Sequence, residues 1–266
     1  MKEIKSDELR QLQMEILDYV DDFCRNHNIK YTISGGTLLG AVRHGGFIPW
    51  DDDIDIQMLR SEYVRFIQLW NKNVDKHPYE LINIESGNNM GYPFGKVSNP
   101  KTVTYVGGIE RTGVFIDVFP VDKVVDMNDF KSRHNKILTL YFWQKFSFMW
   151  KCRKSAGYPF WKKVLAFFLG SWHSREKLAV KINKMASEYE KENGPLVFEM
   201  IAGRICKEPM TKIVFDSYRD IKFEDRKYMS VADYDTYLKA TFGDYMQLPP
   251  IEKRVSHHSF EAYWKD

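Results

Sequence analysis

Residues 50–56 of this 266-residue chain, WDDDIDI, are rich in aspartate and end with aspartate and isoleucine in alternation. Asp51, Asp53 and Asp55 stand two residues apart, and side chains at that spacing share one face of a β-strand. Three carboxylates on one face repel one another unless a cation offsets their charge. Oxygen ligands of this kind favour Mg²⁺ or Mn²⁺ over zinc. The pattern therefore predicts a strand with a divalent-cation site on its acidic face.

Two other structures would explain the same acids. One is a solvated acidic turn, but such a turn has no reason to alternate with strand-forming isoleucines. The other is a calcium loop, since the three aspartates and Glu62 occupy its first, third, fifth and twelfth positions. Ile56 stands where that loop needs a glycine for its sharp turn, which argues against calcium.

A glycine pair precedes the acids. The β-branched run at 31–33 predicts a short strand that enters a turn at Gly35 and Gly36, and a helical pattern resumes at Thr37. Glycines let backbone N–H groups approach a phosphate closely. Enzymes of the nucleotidyltransferase fold are similar in this order of a glycine turn followed by paired aspartates. Gly35, Gly36 and Thr37 are therefore candidate contacts for a donor phosphate.

A further carboxylate stands inside the apolar run VFIDVFP at 114–120. A lone carboxylate in such a run is costly unless it is paired or bound to a metal. Asp117 is therefore the candidate third acid, on a strand beside the first cluster. The alternative is an aspartate at a strand end that caps the following turn.

Helical and strand-like patterns mix over the first 120 residues, which favours an α/β or α+β fold around one mixed sheet with flanking helices. We place a catalytic core at residues 1–125. Residues 126–266 form the second part, a helical, basic and aromatic portion whose segment 242–264 returns to the active site. The predicted helices cover 6–27 and 61–73, and the strand-like runs lie at 80–84, 94–98, 102–106 and 114–119.

Charge is unevenly distributed along the chain. The net charge of +3 gives no argument for nucleic-acid binding, but residues 131–184 hold thirteen Lys and Arg against one acid, Glu176. Twelve aromatic residues lie between 141 and 172. That composition is typical of a helix in a membrane interface, so we expect peripheral membrane association through 141–172. A packed helix with a basic outer face is the alternative. We expect no nucleic-acid partner.

Cysteine usage and hydropathy bear on the compartment. The three cysteines are far apart and lack a CxxC spacing, which argues against a disulfide framework or a zinc site. We found no apolar run long enough for a membrane span and no signal segment at the start. The sequence therefore predicts a cytoplasmic protein, placed on the inner face of the cytoplasmic membrane if the basic segment binds lipid.

Four segments together resemble the LicD family of phosphocholine and related phosphotransferases, to which fukutin-type domains are also similar. The resemblance implies a nucleotidyltransferase-like fold. It also implies transfer of a phosphocholine-like group, a phospho-alcohol or phosphonoalkyl group, from a CDP-linked donor such as CDP-choline to a sugar hydroxyl. The acceptor would be a cell-surface glycan precursor for teichoic acid, lipopolysaccharide or capsule, and CMP would be released. The segments are SGGTLLGAVRHGGFIPWDDDIDIQM (34–58), YPFGKVSNPKT (92–102), VFIDVFPVD (114–122) and FGDYMQLPPIEKRVSHHSFEAYW (242–264).

Within these segments we assign roles. Asp53 and Asp55 hold the Mg²⁺ or Mn²⁺ ion, Asp117 completes the site or takes the acceptor proton, and Asp51 is a weaker ligand. A metal neutralises only part of a diphosphate, so cationic partners for the donor phosphates are expected as well. The candidates are Arg43, Lys96, Arg254, His257 and His258. Aromatic faces attract a quaternary ammonium headgroup, and the candidates for that contact are Trp50, Tyr92 and Tyr105.

Two other functions remain open on the sequence. The same acids could transfer a nucleotidyl group to a small molecule or sugar, which releases pyrophosphate instead of CMP. The chain could also bind membranes or glycans without turnover.

Overall fold

A computed structural model describes residues 1–87, 89–106, 108–151, 160–170, 172–192, 194–201, 208–254 and 260–266. The helices in these ranges are α1 Ser6–Asn26, α2 Gly35–His44, α3 Arg60–Asn71, α4 Met127–Met149, α5 Phe160–Gly170, α6 Arg175–Ala186 and α7 Tyr234–Phe242. The strands are β1 Thr32–Ile33, β2 Asp55–Leu59, β3 Glu80–Ile82, β4 Gly95–Ser98, β5 Thr102–Val106, β6 Ile109–Glu110, β7 Phe115–Val124, β8 Leu196–Phe198, β9 Met210–Thr211, β10 Tyr218–Phe223, β11 Arg226–Val231 and β12 Phe260–Trp264.

The central sheet has the order β1-β2-β7-β4-β3, and β8 and β9 extend it from the end of β7. β2 and β7 run parallel, whereas β4 runs antiparallel to β7. The ten residues of β7 are largely buried, as expected for a strand covered on both faces. This mixed sheet with flanking helices confirms the predicted α/β (α+β) fold class.

Helix α1 shows why the sequence predicted its helices well. Its apolar residues recur every three or four positions, which gives an amphipathic helix a buried stripe. Leu12, Ile16 and Val20 lie on that stripe and belong to the hydrophobic core. The helix ends one residue before the predicted end, and α3 falls within two residues of its predicted range at both ends.

The prediction of one sheet for the first part is wrong. β5 and β6 form a separate three-stranded sheet with β12. A turn at Asn99 carries the chain out of the central sheet after β4, and the Thr102 hydroxyl closes it by donating to the Asn99 carbonyl at 2.9 Å. The partner strand β12 is more than 150 residues away in the sequence, so no local pattern could reveal the pairing.

The second part contains the predicted helices, α4 to α7, but a run of strands separates α6 from α7. Strands β8 to β11 follow between Leu196 and Val231, and β8 pairs with β7 of the central sheet. The core of buried apolar side chains includes residues from both parts of the chain, such as Ile116 and Val197. The boundary at residue 125 stays a prediction. Among the described helices, none is both long and apolar enough to cross a membrane.

Candidate functional site

The glycine pair lies inside the first turn of α2, because this helix begins at Gly35 and not at Thr37. Gly35 has a φ of +52°, and a Cβ there would lie 3.1 Å from a carboxylate oxygen of Asp55. A Cβ on Gly36 would overlap a carboxylate oxygen of Asp51. The two glycines therefore let the carboxylates approach the N-terminus of α2, where the helix dipole favours negative charge.

Thr37 joins α2 to β2. Its buried hydroxyl accepts a hydrogen bond from the Asp55 backbone N–H at 2.9 Å. The Ser34 N–H donates to the Asp55 carbonyl, also at 2.9 Å. Thr37 thus fixes the position of the acid at the start of the strand.

Asp55 and Asp117 are direct neighbours in the parallel register of β2 and β7. Paired positions in adjacent strands project to the same face of a sheet, so the two carboxylates lie side by side. Both residues are buried. The Asp117 N–H donates to the Ile54 carbonyl at 2.9 Å, which continues the strand pairing one residue before Asp55.

The prediction that Asp51, Asp53 and Asp55 share one strand face is wrong for the first two, because β2 begins at Asp55. The preceding residues form an irregular segment that α1 holds in place. Arg10 donates to the Asp51 carbonyl at 2.9 Å, and Gln13 donates to the Asp52 carbonyl at the same distance. These two hydrogen bonds from α1 hold the segment in place, in the way that backbone pairing would hold a strand.

The irregular segment brings its own acids together. The carboxylate oxygens of Asp51, Asp52 and Asp53 lie within 4.8 Å of one another. Within the described residues, no other group of three or more potential ligands lies this close together. Asp52 was not among the predicted ligands. Asp55 and Asp117 lie outside it in this geometry.

The negative charges around Asp55 are suited to a bound cation. Burial raises the pKa of its carboxyl well above the usual range, and the charges of Asp53, Asp117, Glu199 and Asp51 raise it further. A divalent ion would offset this repulsion. The carboxylate set therefore suits the predicted Mg²⁺ or Mn²⁺, both of which take oxygen ligands.

Lys96 lies beside the acids and not in an open phosphate site. It is paired with Asp117 in the register of β4 and β7, and its ammonium forms a buried ion pair with the Asp117 carboxylate. Three aromatic rings surround the ammonium, and the centre of the Phe115 ring is 3.5 Å from it. The other two rings belong to Tyr92 and Phe94.

A cleft of about 890 Å³ opens beside the acidic segment, and Gly36 and Asp51 form part of its wall. Arg43 also lines it and donates to the Tyr245 carbonyl at 2.8 Å. The Arg254 guanidinium lies 5.5 Å from the centre of the Trp50 ring. Burial and the charge of Arg254 lower the pKa of Arg43.

This cleft brings together residues that the sequence places far apart. Residues of the C-terminal segment at 242–254 and of α2 line the same cleft. Two guanidinium groups thus face a space next to the aspartates. Such an arrangement can bind an anionic ligand close to a metal site.

The family description "LicD/FKTN/FKRP, nucleotidyltransferase domain" matches residues 28–151, which include the glycine-led helix, the acidic segment and Asp117. Residues 28–151 form a domain of the LicD family. The lipopolysaccharide cholinephosphotransferase LicD of Haemophilus influenzae is 29% identical over 273 aligned positions, which cover 99% of this chain and 99% of that protein.

Shorter matches fall on parts of the chain. The human ribitol 5-phosphate transferase FKRP is 46% identical over 48 residues, 18% of this chain and 10% of that protein. An uncharacterised protein of Rickettsia typhi is 44% identical over 55 residues, 21% of this chain and 18% of that protein.

The structure does not bring the predicted headgroup residues of the LicD-family domain together. Trp50 lines the cleft, whereas Tyr92 accepts a hydrogen bond from Arg111 at 3.1 Å. The Tyr105 ring packs against Tyr263 in the smaller sheet, with 6.0 Å between ring centres. No ring contact between any two of the three occurs in the described part of the chain, and their shared role stays a prediction. His257 and His258 lie outside the described residues.

The sequence analysis missed a buried network of hydrogen-bonded side chains near Asp55. The Tyr237 hydroxyl donates to the Gln57 side-chain oxygen at 2.9 Å and accepts from the Gly35 N–H at 3.4 Å. The Gln57 amide donates to the carboxylate of Glu199. Gln57 follows Asp55 by two residues on the same strand face, which was an available signal. No sequence signal marked Glu199 or Tyr237, because only packing between distant segments of the chain places them here.

Proposed function

We propose that this chain transfers a phosphocholine-like group, a phospho-alcohol or phosphonoalkyl group, from a CDP-linked donor to a sugar hydroxyl of a cell-surface glycan precursor. CMP is released. The observation that supports this best is the pairing of Asp55 with Asp117 next to an acidic segment and an arginine-lined cleft. Two relatives, a cholinephosphotransferase and a ribitol 5-phosphate transferase, are enzymes whose names agree with it.

In this proposal Asp53 and Asp55 hold Mg²⁺ or Mn²⁺, with Asp51 and Asp117 beside them. When bound, the ion supplies positive charge to the diphosphate oxygens of the donor. Burial and the charges of Asp53, Asp117, Glu199 and Asp51 raise the pKa of Asp55, and this electrostatic crowding supports the assignment. Asp52, which converges with Asp51 and Asp53, joins the candidate ligands.

The remaining residues position the reactants. Arg43 and Arg254 bind the phosphate of the leaving CMP, since both guanidinium groups adjoin the cleft. The acceptor hydroxyl oxygen attacks the phosphorus next to the headgroup, the bond from that phosphorus to the CMP oxygen breaks, and Asp117 takes the hydroxyl proton. Lys96 holds the Asp117 carboxylate in place for this transfer. Positioning and charge neutralisation are the main demands of phosphoryl transfer.

The acceptor in this proposal is carried on a lipid at the inner face of the cytoplasmic membrane. The basic and aromatic composition of residues 131–184 supports this placement.

The decisive experiment measures CMP release from CDP-choline by the purified chain with Mg²⁺ and a saccharide acceptor. We expect release that depends on donor, metal and acceptor, and CDP-linked ethanolamine and glycerol define the headgroup preference. Asp53→Asn should lower the rate by at least about a hundredfold, the scale expected when several kcal/mol of transition-state stabilisation are lost.

Asp75→Asn is the matched control, because Asp75 is an exposed acid in a short turn after α3. It should turn over at the wild-type rate. An Asp53→Asn protein as active as the wild type would refute the metal assignment. Release of pyrophosphate from a nucleoside triphosphate, without CMP release from CDP-choline, would favour nucleotidyl transfer instead. Binding of glycans without turnover of any donor would indicate a non-catalytic protein.

A further inference from the structure

Helix α5 presents an apolar face to solvent. Trp161, Val164, Leu165 and Phe168 stand at the spacing of one helix face. They are 61%, 39%, 45% and 67% exposed. Large apolar side chains scattered singly on a surface are ordinary, but a contiguous exposed patch marks an interaction site.

The opposite side of α5 is packed. Ala166 is fully buried, and a Cβ on Gly170 would overlap the backbone of α4 at Phe146 and Ser147. The helix is therefore docked on α4 through its small residues, and this docking directs the large apolar residues outward. Trp172, which is 87% exposed just after the helix, adds to the same surface.

Positive charge adjoins this face. The Lys162 ammonium lies 5.4 Å from the centre of the Trp161 ring. Lys145 and Lys151 are exposed on and just after α4. The single acid between 131 and 184, Glu176, accepts a hydrogen bond from Ser174. The surface around the apolar face therefore carries excess positive charge.

We propose that the α5 face, defined by Trp161, Val164, Leu165, Phe168 and Trp172, docks on a bilayer that contains anionic phospholipid. Aromatic residues insert to the level of the headgroups, and the flanking lysines contact the lipid phosphates, as in an interfacial amphipathic helix. The helix lies in the interface plane, since no described helix can cross the bilayer.

Charge complementarity favours an anionic bilayer over a second copy of the chain as the partner of the α5 face. A symmetric dimer through the α5 face would bring two strongly basic surfaces together and would be opposed by their repulsion. An anionic bilayer attracts the same surface. Lipid docking of the α5 face depends on its exposed apolar side chains and its charge, and not on the proposed transfer reaction.

Flotation of the full-length chain with vesicles tests the proposal. The wild type should float with vesicles of mixed phosphatidylglycerol and phosphatidylcholine, and it should stay behind with pure phosphatidylcholine. Trp161→Ser/Phe168→Ser should weaken binding by at least about tenfold, because it removes two inserted aromatic side chains. Lys162→Glu should weaken binding to the anionic vesicles by about tenfold or more.

The matched control is Ile213→Ser, which removes an apolar side chain that is 71% exposed after β9, away from α5. It should float like the wild type. Thermal melting verifies that each variant is folded, and turnover of donor should be unchanged in all of them, which separates lipid docking from the chemistry.

Three outcomes would overturn the proposal. The wild type could fail to float with anionic vesicles, or the double variant could float as well as the wild type. Sedimentation could also show a dimer that the double variant converts to a monomer, without vesicle binding, and the α5 face would then be a contact between copies of the chain.

Discussion

At the scale of single residues, Lys96 and Asp117 form a buried ion pair within the candidate site. Removing one partner leaves the other charge uncompensated in the interior, which costs about 3–5 kcal/mol. Lys96→Met should therefore lower the free energy of unfolding by that amount in urea denaturation. The double variant Lys96→Met/Asp117→Asn should recover most of the stability but no activity. A single variant as stable as the wild type would contradict the buried pair.

Removing the Asp55 carboxylate, in contrast, should raise the stability of the metal-free protein near neutral pH. Burial and the neighbouring carboxylates raise the pKa of this carboxyl in the folded state, so its ionised form destabilises the fold. Protonation therefore favours the folded state at low pH, and that contribution is lost as the pH rises through the raised pKa. Asp55→Asn should be more stable than the wild type near neutral pH without metal, and the difference should shrink toward about pH 4.

Thermal melts of the EDTA-treated proteins at several pH values measure this effect. Added Mg²⁺ should raise the melting temperature of the wild type more than that of Asp55→Asn, because in the proposed site the ion would bind the carboxylates of the folded state. An Asp55→Asn protein that melts below the wild type at every pH would show that the carboxylate is stabilising.

At the scale of elements, the first turn of α2 has room for the Asp51 carboxylate only because Gly36 has no Cβ. Alanine is a better helix former than glycine by up to about 1 kcal/mol, so Gly36→Ala should leave the helix stable. Its Cβ would displace the Asp51 carboxylate, and activity should fall. Assays in the wild-type and Asp51→Ala backgrounds form a double-mutant cycle. An equal loss in both backgrounds would rule out an effect through Asp51.

The elements also show how far the sequence could predict this molecule. Helices α1 and α3 follow from apolar periodicity, a local property, and Asp117 follows from a lone acid in an apolar run. The start of β2 at Asp55 does not, because bonds from Arg10 and Gln13 hold the preceding acids outside the strand. Glu199 is likewise placed by packing between distant segments, which no spacing of residues encodes.

At the scale of the whole molecule, β12 joins the two ends of the chain. It pairs with β5, and the Trp264 indole donates to Glu8 of α1 at 2.9 Å. Deleting residues 260–266 would expose the edge of β5, and exposed edge strands promote aggregation. The shortened protein should melt at a lower temperature and scatter more light on heating. Removal of 265–266 alone is the control and should have little effect.

The start and the end of the chain lie next to each other in this sheet. The Ile4 N–H donates to the Ala262 carbonyl at 2.9 Å, and the Trp264 N–H donates to the Lys2 carbonyl at 2.8 Å. A short peptide could therefore join the ends, and a circular permutant could begin elsewhere on the surface. In such a rearranged gene, the C-terminal wall of the cleft and Arg10, which supports the acidic segment, would be encoded within one short stretch.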